Sequence, residues 1–116
     1  MRPTPDIRKL LVGLPDAHAA EIFEPIVSAG QILIERIVSQ GQTTPAGEWC
    51  FGERDEWVMV LSGRAELQFE GQAILHKMET GDSVLIPGGC RHRVEWTDPD
   101  QKTVWLAVHF DGKKAE

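Results

Sequence analysis

A histidine on the apolar side of an alternating strand is the residue in this chain that most plainly asks for chemistry. In Cys90–Thr97 (CRHRVEWT), Cys90, His92, Val94 and Trp96 fall on one face, and Arg91, Arg93 and Glu95 on the other. Period-two alternation marks a half-buried strand. An imidazole turned toward a core needs a hydrogen-bond partner, a metal or a ligand. A carboxylate joins it by a register argument. If Ser62-Gly63 is a two-residue turn, Val60 faces Ala65, Val58 faces Leu67 and Glu56 faces Phe69. Directly opposed residues in an antiparallel pair share a face. Ala65, Leu67 and Phe69 are the apolar side of their run, against Arg64, Glu66, Gln68 and Glu70, so Glu56 points inward with them. A one-residue bulge at the turn would reverse that facing. An inward carboxylate and an inward imidazole make an acid–base pair or the beginning of a metal site.

The elements that must position these groups are nearly all short strands. Residues 1–14 read as an arm that tacks down through Ile7, Leu10 and Leu11. Asp16 can cap a short helix with Ala20, Phe23 and Val27 on its buried side, ending or kinking near Phe23 because of Pro25. From Gln31 to Ser39 the chain turns to β, and residues 41–48 (GQTTPAGE) form a loop. After Trp49–Phe51, strands are expected at Glu56–Leu61, Arg64–Glu70, Ala73–Met78, Ser83–Ile86, Cys90–Thr97 and Thr103–Phe110. Pro87-Gly88-Gly89 and Asp98-Pro99-Asp100 supply turns. Many short strands at close spacing imply an all-β antiparallel sandwich or barrel of jelly-roll type. The expected organisation is one domain, with an N-terminal arm and short helix over residues 1–30 and a β-barrel over residues 31–116.

With 116 residues the chain can bury one core but not two. A formal charge of −6 opposes binding to a phosphate backbone or an anionic membrane, so neither nucleic acid nor membrane is expected as a partner. No apolar run reaches the roughly 18 residues that span a bilayer. The segment LLVGL is too short for a secretory core and runs straight into Pro15-Asp16. Two cysteines and no export signal make the cytoplasm the expected compartment, with no disulfide framework.

Gly81, five residues, Pro87, one residue, Gly89, two residues and His92 together resemble the second motif of the cupin superfamily. Glu56, six residues and Gly63 resemble the tail of its first motif. The segments IERIVSQGQ, EWVMVLSG, IP…HRVEWT and VWLAVHF, spread from Ile34 to Phe110, are similar to small single-domain bacterial cupins with no assigned reaction. The resemblance implies a jelly-roll (double-stranded β-helix) barrel, a homodimer, and either one divalent metal ion (Fe, Zn, Mn or Ni) in the barrel mouth or none. It also places two histidines, one residue apart, shortly before the glutamate. Here that place reads Trp49-Cys50-Phe51-Gly52. The tyrosine, aspartate and glutamine of similar small cupins are missing there as well. Cys50 can stand in as a thiolate, giving Cys50, Glu56, Cys90 and His92 as a donor set suited to zinc or iron. Buried free cysteines also serve as small apolar residues.

Trp49, Phe51 and Trp96 offer apolar walls for a ligand in the mouth, or core and dimer-contact surface. Arg91 and Arg93 suit cross-strand pairing with Glu95, or a grip on a ligand carboxylate. His18, His76 and His109 carry less weight; His109 shares a face with Trp105 and Ala107, opposite the apolar set Val104, Leu106, Val108 and Phe110. No phosphate loop, nucleophile elbow or Cys-x-x-Cys pair occurs. The expected function is a small-molecule-binding cupin with Glu56 and His92 as acid–base pair and a degenerate metal site. The alternatives are a metal-dependent oxygenase or isomerase, and a non-catalytic sensor or structural module.

Overall fold

Alternating apolar and polar positions organise residues 4–112, the part of the chain that the computed structural model describes, into eight antiparallel strands. They are β1 (Ile22–Ala29), β2 (Ile32–Ser39), β3 (Asp55–Ser62), β4 (Arg64–Phe69), β5 (His76–Glu79), β6 (Ser83–Ile86), β7 (His92–Thr97) and β8 (Thr103–Phe110). One sheet has the order β1-β2-β8-β3-β6 and the other β5-β4-β7. Their facing sides contribute a single core of Ile37, Val58, Val60, Ala65, Leu67, Met78, Ile86, Trp105 and Ala107. This is the two-sheet jelly-roll layout, in which alternate residues of each strand meet between the layers.

The Ser62-Gly63 turn does not close a hairpin. β3 pairs with β8 and β6, while β4 pairs with β5 and β7, so the chain crosses from one sheet to the other at Gly63. The expected register of Val60 with Ala65 and Glu56 with Phe69 is therefore not formed. A Cβ at Gly63 would sit 2.6 Å from Thr103 Oγ1 and 2.7 Å from Thr103 Cα, and the backbone there has φ of +104°. Only glycine combines that φ with so close an approach. Val60 and Ala65 nevertheless both face the core, because the corner joins the inner side of one layer to the inner side of the other.

No helix follows Asp16 among the described residues. Ile22–Ala29 is an edge strand, and it brings part of the expected arm-and-helix segment into the barrel sheet through its pairing with β2. Asp16 shapes a local turn instead, its Oδ1 accepting from the His18 backbone N–H at 3.0 Å. That bond is the main reason its carboxyl lies below the ordinary value. Pro25 sits where the β1–β2 register slips between Pro25 and Val27. A bulge on an edge strand tolerates a residue without an N–H, and β-branched Ile22, Ile26 and Val27 favour extended backbone. The arm docks on the outer side of the larger sheet by its backbone: Arg36 donates to the Leu10 carbonyl at 3.0 Å, and Lys102 to that of Leu14 at 3.2 Å. Ile7 and Leu11 stay exposed. Residues 1–3 of the expected arm and 113–116 of the expected barrel lie outside the described residues.

β7 departs from simple alternation. Its register with β4 shifts between Glu66 and Leu67, so His92 opposes Phe69 and Val94 opposes Leu67, but Trp96 opposes Glu66 and Thr97 opposes Ala65. The bulge moves buried Thr97 onto the core side and turns Trp96 outward, correcting the expectation that Trp96 continues the His92 face. β5 begins only at His76, which leaves Ile74 and Leu75 exposed in the preceding loop.

Candidate functional site at the barrel mouth

Cross-strand registers stack the inner face of the larger sheet in rows. Trp105 lies between Ile37 and Val60; the next row holds Glu35, Ala107, Val58 and Val84; the last holds Leu33, His109, Glu56 and Ile86. The rows thus change from apolar to polar toward one end of the barrel. The smaller sheet answers with Phe69 opposite His92, and with Cys50 joined to His92 by reciprocal backbone hydrogen bonds of 2.7 and 2.9 Å. Together the polar rows surround a cavity of about 230 Å³, whose lining includes Glu35, Glu56, His92 and His109 over Val58, Leu67 and Trp105. It adjoins a vestibule of about 310 Å³ with which it shares Cys50, Glu56, His92 and His109.

Two loops hold the motif halves together. Gly89 N–H donates to the Gly52 carbonyl and Gly88 N–H to Asp55 Oδ1, both at 2.8 Å. A side chain on Gly88 would run into the Glu53 carbonyl. The glycines after Pro87 thereby let the turn before β7 pack on the loop before β3, which sets His92 across from Glu56.

Hydrogen bonding fixes what each group can offer. His92 Nδ1 lies 3.2 Å from the Cys90 carbonyl, which can only accept, so Nδ1 carries a hydrogen and, in the neutral ring, Nε2 presents a lone pair. His109 Nε2 lies 2.9 Å from Glu35 Oε1, so Nε2 donates and, in the neutral ring, Nδ1 is the second acceptor. The Glu56 side chain forms no hydrogen bond or ion pair with any described residue. Deeper in, Trp105 Nε1 donates to Ser39 Oγ at 3.1 Å, and Ser39 donates to Glu21 Oε2 at 2.5 Å. The mouth therefore combines an unpartnered carboxylate with two imidazoles whose second nitrogens are available for proton exchange.

Glu56 and His92 meet in this cavity, and Cys50 and Cys90 line its vestibule. Cys90 also packs against the core, while Cys50 is exposed with its Sγ 3.8 Å from Thr44 Oγ1. Among the described residues, no group of three or more His, Cys, Asp or Glu side chains gathers closely enough to hold a metal ion. The resemblance implies a metal ion at this end of the barrel, but here Gly52 provides no side-chain donor and Glu35 engages His109. The described residues do not gather into such a centre.

The aromatic expectation holds least well in place. Phe51 stands at the rim with the Arg91 guanidinium 5.1 Å from its ring. Trp49 lies outside the lining, 6.0 Å from the Arg93 guanidinium, and Trp96 is on the outer surface. The cavity's aromatic walls are Phe23 and Trp105. Sequence reasoning missed His109 and Glu35 as site residues. Their signal lay in the alternation of Trp105, Ala107 and His109, whose side is the inner one.

An antiparallel barrel with carboxylate and imidazole groups at one open end is the architecture of a cupin. The chain belongs to the cupin family: the profile described as Cupin domain matches residues 38–109. A crystal structure from Ralstonia eutropha JMP134, provisionally named a mannose-6-phosphate isomerase, is 44% identical, with a TM-score of 0.89 over 93% of this chain and 100% of that one. A conserved Streptococcus pyogenes protein of unknown function superposes with a TM-score of 0.72 at 16% identity, over 97% of this chain and 93% of that one. A cupin superfamily protein from Desulfitobacterium hafniense DCB-2 gives 0.72 at 14% identity, covering 92% and 94%. These last two share the fold alone. No curated protein matches the chain.

Proposed function

We propose that this cupin binds a small molecule in its barrel mouth, with Glu56 and His92 as the acid–base pair that faces it. The carrying observation is that Glu56, without a partner among the described residues, lines the same cavity as His92, whose Nε2 is open. A carboxylate held over apolar walls without a hydrogen bond is a poor structural element and a good ligand contact. Ligand-induced melting shifts, measured for the native chain and for Glu56→Gln and His92→Ala, test the reading. If either substitution leaves every ligand response intact, the site lies elsewhere. If the native chain responds to nothing, the sensor or structural-module alternative gains.

An isomerase is the second reading. Its support is the name given to the 44% identical Ralstonia protein, together with the chemistry of proton transfer between neighbouring carbons, for which a carboxylate and an imidazole suffice. An oxygenase has no comparable support, because the described donors do not gather into a metal-holding group.

A homodimer is part of the same proposal. On the outer face of the larger sheet, Ile34, Val108, Trp57 and Leu85 form one apolar row across four strands, all at least partly exposed. A second copy seated there would cover it. Sedimentation of the native chain and of Trp57→Glu checks this, with a dimer expected for the first and a monomer for the second.

A further inference from the structure

The cavity's charge says what kind of molecule it takes. We infer that the mouth selects a small organic cation, a primary ammonium compound without a net negative charge, and rejects anions, phosphorylated sugars included. The inference rests on the mouth being the binding site, but not on the name of the Ralstonia protein.

Among the described residues, the inner cavity is lined by three carboxylates, Glu21, Glu35 and Glu56, and two imidazoles, His92 and His109, with no lysine or arginine. Three carboxylates outnumber two imidazoles whichever way the rings are protonated. Glu35 is engaged by His109 and Glu21 by Ser39. Glu56 remains as the acceptor with nothing to accept from among the described residues. Among the described residues, the one guanidinium lining the vestibule, Arg54, is directed elsewhere: it donates to the His109 carbonyl at 3.2 Å and lies 3.9 Å from Asp111, with Glu53 beside it on the lining. At the rim, Arg91 lies over Phe51 and 3.9 Å from Glu70. Among the described residues, no free cation is poised to receive a phosphate or carboxylate.

Apolar walls make this imbalance count. Val58, Leu67, Ile86 and Trp105 lower the local dielectric, so an entering anion loses hydration while facing carboxylates. An ammonium group gains a charge-assisted bond to Glu56, and Phe23 and Trp105 supply π surface nearby. His92 Nε2, as a lone-pair acceptor, suits a second N–H or O–H of the same ligand.

An isosteric series separates charge from shape: n-propylammonium, n-propanol and propionate, plus a hexose 6-phosphate, titrated at constant ionic strength. Histidine ring signals of the full chain are followed by NMR. The expected result is that n-propylammonium moves the His92 and His109 signals to saturation, at least about tenfold more tightly than propionate or the sugar phosphate. In Glu56→Gln, which keeps the shape of the side chain, that preference should fall to about unity. Propionate or the sugar phosphate binding as tightly as the ammonium would overturn the charge inference and leave the site standing. If none of the four probes moves either histidine, the inference and the site both fail. An unchanged preference in a folded Glu56→Gln would also overturn the inference, since the cation would then be held by something else.

Discussion

The two ends of this barrel treat polar groups in opposite ways. At the end away from the mouth, Thr103 Oγ1 accepts from Arg64 N–H at 3.3 Å and donates to the Arg64 carbonyl at 3.1 Å. Asp98 accepts from Asp100 N–H, Gln101 Nε2 and Arg64 NH2 at 2.9, 2.9 and 3.1 Å. Buried Thr97 donates to the Gln42 carbonyl at 2.7 Å. At the mouth, Glu56 has no partner among the described residues and each histidine uses one ring nitrogen. Satisfied polar groups lock a structure, whereas unsatisfied ones in a cavity are capacity held for something else. Fold and function occupy opposite ends, and substitutions should separate them.

The largest effect is expected at the corner. Gly63→Ala puts a Cβ onto Thr103 and asks alanine to adopt φ of +104°. Backbone strain and overpacking together should cost about 3 kcal/mol. A urea unfolding curve with the same slope and a much lower midpoint would show it. A midpoint within error of the native chain would mean that the two ends are not so differently built.

Thr103→Val keeps the shape but deletes both hydrogen bonds at a fully buried position, leaving the Arg64 backbone short of them. About 2 kcal/mol should be lost. The same denaturation experiment reads it, and ligand responses at the mouth should be untouched.

Asp98 adds a pH signature. The Asp100 backbone N–H, foremost, holds its carboxyl below the ordinary value of 3.8; burial opposes this, and Gln101 and Arg64 reinforce it. A carboxyl depressed in the folded state adds stability above its unfolded pKa, and that contribution disappears as pH falls through the folded value. The native chain should therefore lose its advantage over Asp98→Asn below about pH 4, while keeping it at pH 7. Urea midpoints of both at pH 7 and pH 3 check the sign.

Local alternation was the most legible feature of the sequence, and it carried the all-β architecture. Strands β6 and β8 fall on Ser83–Ile86 and Thr103–Phe110, where the pattern places them. What alternation cannot give is which strand lies beside which. The inward direction of Glu56 came from a hairpin that does not form, and it survives because both layers turn their apolar sides to one core. His109 was passed over for the converse reason. β8 is the central strand of its sheet, and its outer side, with Val104 fully buried and Leu106 and Val108 partly so, is more apolar than its inner side. Counting apolar residues then selects the wrong face. Trp96 was misplaced by a bulge that nothing in CRHRVEWT announces. The N-terminal helix failed because pairing with β2 outweighs an Asp16 cap and a loose apolar spacing.

The smallest expected effect on stability is the most informative. Glu56→Gln removes a charge that no described residue compensates, so unfolding free energy should change by no more than about 0.5 kcal/mol. The sign should be neutral or slightly favourable, since an unpartnered carboxylate beside apolar walls costs desolvation that an amide costs less. Over the same substitution, the response to ligand should disappear. Trp96→Ala serves as the matched control: it too lies outside the core, but on the outer surface, and should leave that response intact. A Glu56→Gln protein that unfolds more easily by 2 kcal/mol or more would reveal a structural partner for the carboxylate. The mouth would then resemble the closed end, and the division between them would be lost.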